Sequence, residues 1–334
     1  MEWWLSVILF VVILFVYLHI QNQYKTGEDL DIYEYEYQSL KDLQDICQWK
    51  QPIVFPMDFM EPPSFPSLPY LQLKDTRDSK RIEPDKTNIE SFCLDISKAF
   101  GLFLTDSKGV FYSDQNTSEI NDTKEWLQWF ESCDRFLKPS FCVYRKYDIL
   151  YGSKKCQTIT KYHLESHTYL YVPAKSKAVR IKMSPWKSQL FLDPVTDYIQ
   201  FEFWSRTNLF ESHPRLKSVE ILLRPGHILF IPSYWFYSIE FQDANTEVRM
   251  MQYTTLPNMM AHLKHNALYY LQKQNMNGNW LKPVSSLEDI INNKDETVVE
   301  EDTVILDSKT TASDPSLSIL ESLKPQEALP VNER

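Results

Sequence analysis

The sequence predicts a mainly β domain with flanking helices, carried behind one N-terminal transmembrane helix. Three stretches lead there. Residues 3–20, WWLSVILFVVILFVYLHI, are interrupted by polar groups only at Ser6, Tyr17 and His19. At 1.5 Å per residue the run reaches about 27 Å, close to the roughly 30 Å of a bilayer's hydrocarbon core. Leu223 to Phe241, LRPGHILFIPSYWFYSIEF, reads as two strands joined at a turn. Pro225-Gly226 opens it, because Pro fixes φ and Gly accepts positive φ without steric cost. Ile228 to Ile231 is the apolar run of a strand buried on both faces, and Pro232 ends it. Leu30 to Tyr37, LDIYEYEY, alternates apolar or aromatic with acidic residues, as a strand with one solvated face does.

The 334 residues suffice for one large domain or two ordinary ones, and the 43% hydrophobic content supplies a sizeable core. The expected division is an anchor and flank at 1–24, a globular domain at 25–284 and an acidic, disordered tail at 285–334, where aromatics vanish. A net charge of −10 excludes nucleic acid as a partner, since phosphate neutralisation needs clustered Lys and Arg. Five cysteines without a CxxC spacing make neither a zinc knuckle nor a disulfide framework, and suit a reducing compartment.

Trp3 and Trp4 at one end of the apolar run, and Tyr17, His19 and Tyr24 at the other, match an interfacial aromatic belt. A secretory signal would carry a basic start, a shorter apolar run and a small-residue cleavage site. The expectation is a single uncleaved membrane span. Lys25 on its C-terminal side directs the body to the cytoplasm by the positive-inside rule. The triplets Asn116-Thr117-Ser118 and Asn121-Asp122-Thr123 would be glycosylation acceptors only in a lumenal body.

Ser39 is placed to cap a short helix ending at Cys47, and Gln51 to Phe55 is the next strand. Residues 70–112 read as strands near Tyr70–Leu73 and Phe111 with irregular chain between. Trp126, Leu127, Trp129, Phe130 and Phe136 fall on one face of a helix within 121–137. Val248 to Tyr253 is a strand. Pro257 to Gln274 is a single amphipathic helix with Met259, Leu263, Ala267, Tyr270 and Leu271 on its apolar side.

The candidate chemistry lies in Thr160-Lys161-Tyr162-His163-Leu164-Glu165-Ser166-His167. Residues two apart share a strand face, so His163 and Glu165, with His167, can project together. Two imidazoles and a carboxylate on one side of a metal are the ligand set of a non-haem iron site. This H-x-E followed by the PGHILFIPSYWFY stretch resembles the cupin-like domains, in particular the JmjC-type 2-oxoglutarate oxygenases. The resemblance covers roughly residues 30–275, and the layout of anchor plus domain is similar to proteins of large DNA viruses and algae. It implies a double-stranded β-helix, a cupin or jelly-roll fold. It further implies Fe(II) held at His163, Glu165 and Tyr237, with 2-oxoglutarate bound by Thr160 and Lys177. Lys175 and Arg180 are alternatives to Lys177.

Two departures matter. Glu165 stands where the family has Asp, and Tyr237 stands where the final His belongs. An ordinary phenol, with a pKa of about 10, is a poor ferrous ligand at neutral pH. The first reading is therefore a membrane-anchored, non-catalytic binding or structural module with a degenerate iron site and an unidentified protein or small-molecule partner. The second is an Fe(II)- and 2-oxoglutarate-dependent hydroxylase or demethylase-like oxygenase with a His-Glu-Tyr ligand set.

Overall fold

The computed structural model describes residues 2–57, 59, 68–77, 89–211, 213–244 and 246–277. In chain order the elements begin with helix α1 (Glu2–Gln23), strand β1 (Tyr33–Glu34), helix α2 (Leu40–Cys47) and strands β2 (Ile53–Pro56), β3 (Tyr70–Asp75) and β4 (Ser91–Asp95). Helix α3 (Ile96–Thr105), strand β5 (Phe111–Ser113) and helices α4 (Thr117–Asp122) and α5 (Lys124–Leu137) follow. Then come β6 (Cys142–Gly152), β7 (His167–Val172), β8 (Val179–Ser184), a 3₁₀ turn, α6 (Gln189–Leu192), β9 (Pro194–Asp197), β10 (Glu202–Ser205) and β11 (Val219–Leu223). The last are β12 (His227–Pro232), β13 (Phe236–Phe241), β14 (Glu247–Thr255), α7 (Leu256–Ala261) and α8 (Leu263–Asn277). The chain is mainly β with flanking helices and one long apolar N-terminal helix. The tail expected at 285–334 lies outside the described residues.

Nine strands form one sheet in the order β1-β2-β12-β7-β14-β6-β5-β3-β4. A second sheet holds β11-β8-β13, and β9 pairs with β10. Residues 157–163 join these two small sheets, because Lys161 pairs with Tyr237 of β13 on one side and Trp204 of β10 on the other. Large and small sheets share a core: Leu170, Leu229, Ile231 and Met250 pack with Ile181, Met183 and Ile239. The opposite face of the large sheet is covered by helices. There Tyr169, Tyr171, Ile228 and Phe230 meet Trp126, Trp129 and Phe130 of α5 and Leu43 and Cys47 of α2. Burial on both faces explains why β12 reads as a continuous apolar run.

Several expectations hold. Ser39 caps α2, its hydroxyl accepting from the Asp42 N–H at 3.2 Å, and Leu43 and Cys47 on one face are buried. Trp126, Trp129, Phe130, Cys133 and Leu137 form the buried side of α5, though Phe136 is exposed. Gly226 has φ +72°, as its turn requires.

Three differ. The strands at 223–241 are not a hairpin: β12 pairs with β2 and β7, while β13 pairs with β8 in the other sheet. Pro232 ends the first ladder, and Tyr234, in the left-handed region at φ +65°, turns the chain across the core. Next, β4 and α3 occupy 91–105, where irregular chain was expected. Asp95 caps α3 by accepting from the Ser97 N–H at 2.9 Å, and Ala99 and Phe103 are its buried pair. Finally, the expected helix at 257–274 breaks at His262 into α7 and α8. Its buried side carries Asn258, Ala261 and His262, not the apolar stripe, and Met259, Leu263, Tyr270 and Leu271 are exposed. Specific partners decide this: Asn258 donates to the Leu164 carbonyl at 2.9 Å, and the His262 Nε2 meets the Tyr234 hydroxyl at 2.6 Å.

Candidate functional site

The cavity between the sheets opens among Lys146 and Asp148 of β6, Met250 and Gln252 of β14, Tyr237 of β13, and Lys161, His163 and Glu165. The period-2 alternation of residues 157–163 puts Lys161 and His163 on the cavity side. Backbone bonds fix the register: Lys161 N to Tyr237 O at 2.9 Å, and Tyr237 N to Lys161 O at 2.8 Å. The free volume is about 30 Å³, against the several hundred of pockets that enclose cofactor-sized ligands.

His163 Nε2 lies 2.5 Å from the Tyr237 hydroxyl, and its Nδ1 lies 3.8 Å from Glu165 Oε2. The Tyr237 hydroxyl also reaches the Met250 sulfur at 3.7 Å. Burial drives the His163 pKa down to about 3, with Lys146 and Lys161 adding to the effect, so the ring is neutral. Burial drives the Tyr237 phenol far above its ordinary value, opposed by Lys161, so the hydroxyl keeps its proton. The neutral imidazole and the protonated phenol are thus joined by a hydrogen bond between uncharged groups. Burial also raises the Glu165 carboxyl.

Beneath this trio sits a closed four-charge cluster. Lys74 Nζ contacts both Glu202 oxygens at 3.0 and 2.8 Å and Asp114 Oδ1 at 3.1 Å. Lys161 Nζ contacts Glu202 Oε1 at 2.5 Å and Asp114 Oδ2. Burial pushes the Glu202 carboxyl up, but Lys161 and Lys74 outweigh it and hold it well below the usual range. Burial likewise opposes the charge on Lys161, and Asp114 and Glu202 more than restore it. Beside the cluster, Asp148 accepts from the backbone N–H groups of Gln115 at 2.7 Å and Asn116 at 2.8 Å. Burial, then the charge of Asp114, raises its pKa to about 6. The Gln252 side-chain nitrogen and the Tyr112 hydroxyl are buried in the lining without a hydrogen-bond partner.

The other sequence candidates lie elsewhere. Thr160 is buried with its hydroxyl accepting from the Leu209 N–H at 2.9 Å, on the side away from Lys161. Lys177 and Lys175 are exposed in the connection between β7 and β8 and do not line the cavity. Arg180 is engaged by Glu240 at 2.6 Å and Glu220 at 3.4 Å. His167 does not share the face of His163, because the chain bends at Glu165 and Ser166 as it passes between sheets. Its ring packs against Tyr169 and Phe230 on the helical side. Lys74, Asp114, Lys161 and Glu202 were not singled out by the sequence. Their only local signal is a charge inside a strand or beside one, which usually marks a solvated face.

Neither a family model nor a curated protein matches this chain.

The donor set fits a ferrous ion poorly. His163 Nε2, the nitrogen facing Tyr237, is occupied by the phenol, and a protonated phenol is not a metal ligand. Among the described residues no three His, Cys, Asp or Glu side chains are placed to hold a metal.

Proposed function

We propose that this chain is a membrane-anchored cupin-like barrel, of JmjC-like type, that works as a non-catalytic binding or structural module. The order of pairing supports the double-stranded β-helix. The strands β6, 157–163, β7, β8, β11, β12, β13 and β14 fall in the large, small, large, small, small, large, small and large sheet. That distribution closes two facing sheets of four, β12-β7-β14-β6 and β11-β8-β13-(157–163), around one core. The single observation that carries the loss of iron chemistry is the 2.5 Å contact between Tyr237 and His163. A hydrogen bond inside the protein takes the position the resemblance assigns to the metal. Thr160 and Lys177, the residues assigned to 2-oxoglutarate, do not meet in the cavity.

The helix α1 has no fully buried residue among those described and is long enough to cross a bilayer, so it is the anchor of a single-pass protein. Lys25 orients the body toward the cytoplasm. Anaerobic titration of the solubilised chain with Fe(II) and 2-oxoglutarate tests the reading. Neither should bind, and no succinate should form. Micromolar binding with succinate release would replace it with the oxygenase reading. Fe(II) binding gained only in Tyr237→His would identify Tyr237 as the residue that closed the site.

A further inference from the structure

The end of the body that grips α1 is apolar where a soluble domain would be polar. Along α1 only Val16, Ile20 and Gln23 are half-buried, four and three residues apart on one helical face, and that face packs on α7. The contact continues past the helix. The Tyr24 hydroxyl donates to the Ala261 carbonyl, and the Tyr24 ring lies 5.8 Å from that of His262. Gly27 sits so close to the Lys50 backbone that a β-carbon there would be 2.1 Å from its carbonyl oxygen. The lower part of α1 is thus seated against the body.

Depth follows from this seating. Val16 to Gln23 is about 10 Å of helix, and Val16 to Ile20 is about 6 Å. The apolar run 3–20 is barely as long as the hydrocarbon core, so all of it must enter. Packing α7 on Val16 and Ile20 then places α7 at the boundary between headgroups and acyl chains, 5–10 Å or so into the interface. The residues at this end are suited to that depth. Trp49 precedes the Lys50 that touches Gly27 and is 61% exposed. The Phe141 carbonyl accepts from the first amide of α7 at 2.9 Å, and its ring is 80% exposed. Leu256, Met259 and Met260 of α7 and Leu263 at the start of α8 are exposed beside them, and α7 carries no charge. An apolar patch with an indole, continuous with a membrane span, is what an interfacial surface requires.

We propose that Trp49, Phe141, Leu256, Met259, Met260 and Leu263 form a lipid-contacting collar, which sets the body into the surface of the bilayer that α1 crosses. The proposal rests on the reading of α1 as a membrane span. It also accounts for the exposure of Met259 and Leu263, which the body itself does not cover.

The test is spin-label depth measurement on the full chain in phosphatidylcholine nanodiscs, with Cys93 and Cys142 replaced by Ser. Labels are placed by Met260→Cys and Leu263→Cys. Ile13→Cys serves as a mid-span reference. Lys154→Cys serves as an aqueous one, because β6 and β14 run from Cys142 and Thr255 beside α7 to the opposite end of the sheet. The ratio of oxygen to nickel-chelate accessibility at 260 and 263 should lie well above that at 154 and approach that at 13. If 260 and 263 match 154 while 13 reads as mid-bilayer, the collar is refuted and the anchor stands. If 13 also reads as aqueous, the anchor falls and the collar with it. Labels at 260 and 263 shielded from both reagents, with dipolar broadening, would assign the patch to a second copy of the chain and refute the lipid contact.

Discussion

Replacing Lys74 by Met removes one cation from a cluster of two lysines and two carboxylates while nearly preserving volume. The Lys74 side chain is fully buried, and it contacts Glu202 at 2.8 Å and Asp114 at 3.1 Å. What remains is Lys161 between two carboxylates, one of them uncompensated in a water-poor site. Breaking a buried pair from one side costs about 3–5 kcal/mol. A unit of this size shifts its Tm by roughly 2–4 °C per kcal/mol, so Lys74→Met should melt about 6–20 °C lower. Adding Glu202→Gln removes the stranded charge and leaves the Lys161–Asp114 pair. The double variant should therefore be more stable than the sum of the single ones by about 0.5–3 kcal/mol. The pH dependence follows from sign. Glu202 is held below its ordinary value, so its contribution is complete above about pH 4.5 and fades as pH falls below that. The gap between wild type and Lys74→Met should narrow in acid. Near-UV circular dichroism of the detergent-solubilised chain measures all three variants. A Tm within 2 °C or so of wild type for Lys74→Met, or strict additivity in the cycle, would refute the closed cluster.

Further outcomes follow from other parts of the core. Tyr237→Phe leaves His163 Nε2 buried without a partner and should cost about 1–3 kcal/mol, read by the same melts. Burial holds His163 and His167 near pKa 3 and His262 near 4, so their stabilising neutral state is complete above the ordinary 6.5 and is lost as pH falls. Stability should drop between pH 6.5 and 4 by up to ~1.4 kcal/mol per pH unit for each, and His262→Gln should flatten the profile. Asp148, raised to about 6, acts in the opposite sense: its contribution is complete below its ordinary 3.8 and is lost as pH rises through 6. A β-carbon at Gly152 would lie 2.3 Å from the Phe241 ring, so Gly152→Ala should destabilise by about 1–3 kcal/mol. Asn116 donates to the Ile149 carbonyl at 2.7 Å and accepts from the Gln72 N–H at 2.9 Å, fully buried. A glycan on its side-chain nitrogen would break the bond to Ile149, so in a lumen-directed chain whose exposed second acceptor is removed by Asn121→Gln, endoglycosidase treatment should leave the gel mobility of the folded protein unchanged.

Much of the local structure was legible because it depends on short-range rules. The α1 run, the Ser39 cap, the buried face of α5 and the Gly226 turn each follow from residues within a few positions of one another. His163 and Tyr237 were singled out by the resemblance and not by spacing, since they lie 74 residues apart. The sheet to which each strand belongs was not legible. Proline and a left-handed tyrosine can end a hairpin or redirect a chain, and only the facing cores, Leu229 with Ile181 and Phe230 with Trp129, decide between them. Nor could spacing show that Asn258 and His262 would take the buried side of α7 in place of the apolar stripe.

By itself, then, the sequence determined that this protein has an apolar N-terminal helix, a β-rich body and a Tyr at the end of its His-x-Glu constellation. Tertiary structure alone brought Lys74, Asp114, Lys161 and Glu202, from four distant segments, within 3.1 Å contacts of one another. It alone set the Tyr237 hydroxyl against His163. The reason is electrostatic: a charge is stable in such an interior only with its partner, and the partner's position is a property of the fold, not of spacing along the chain.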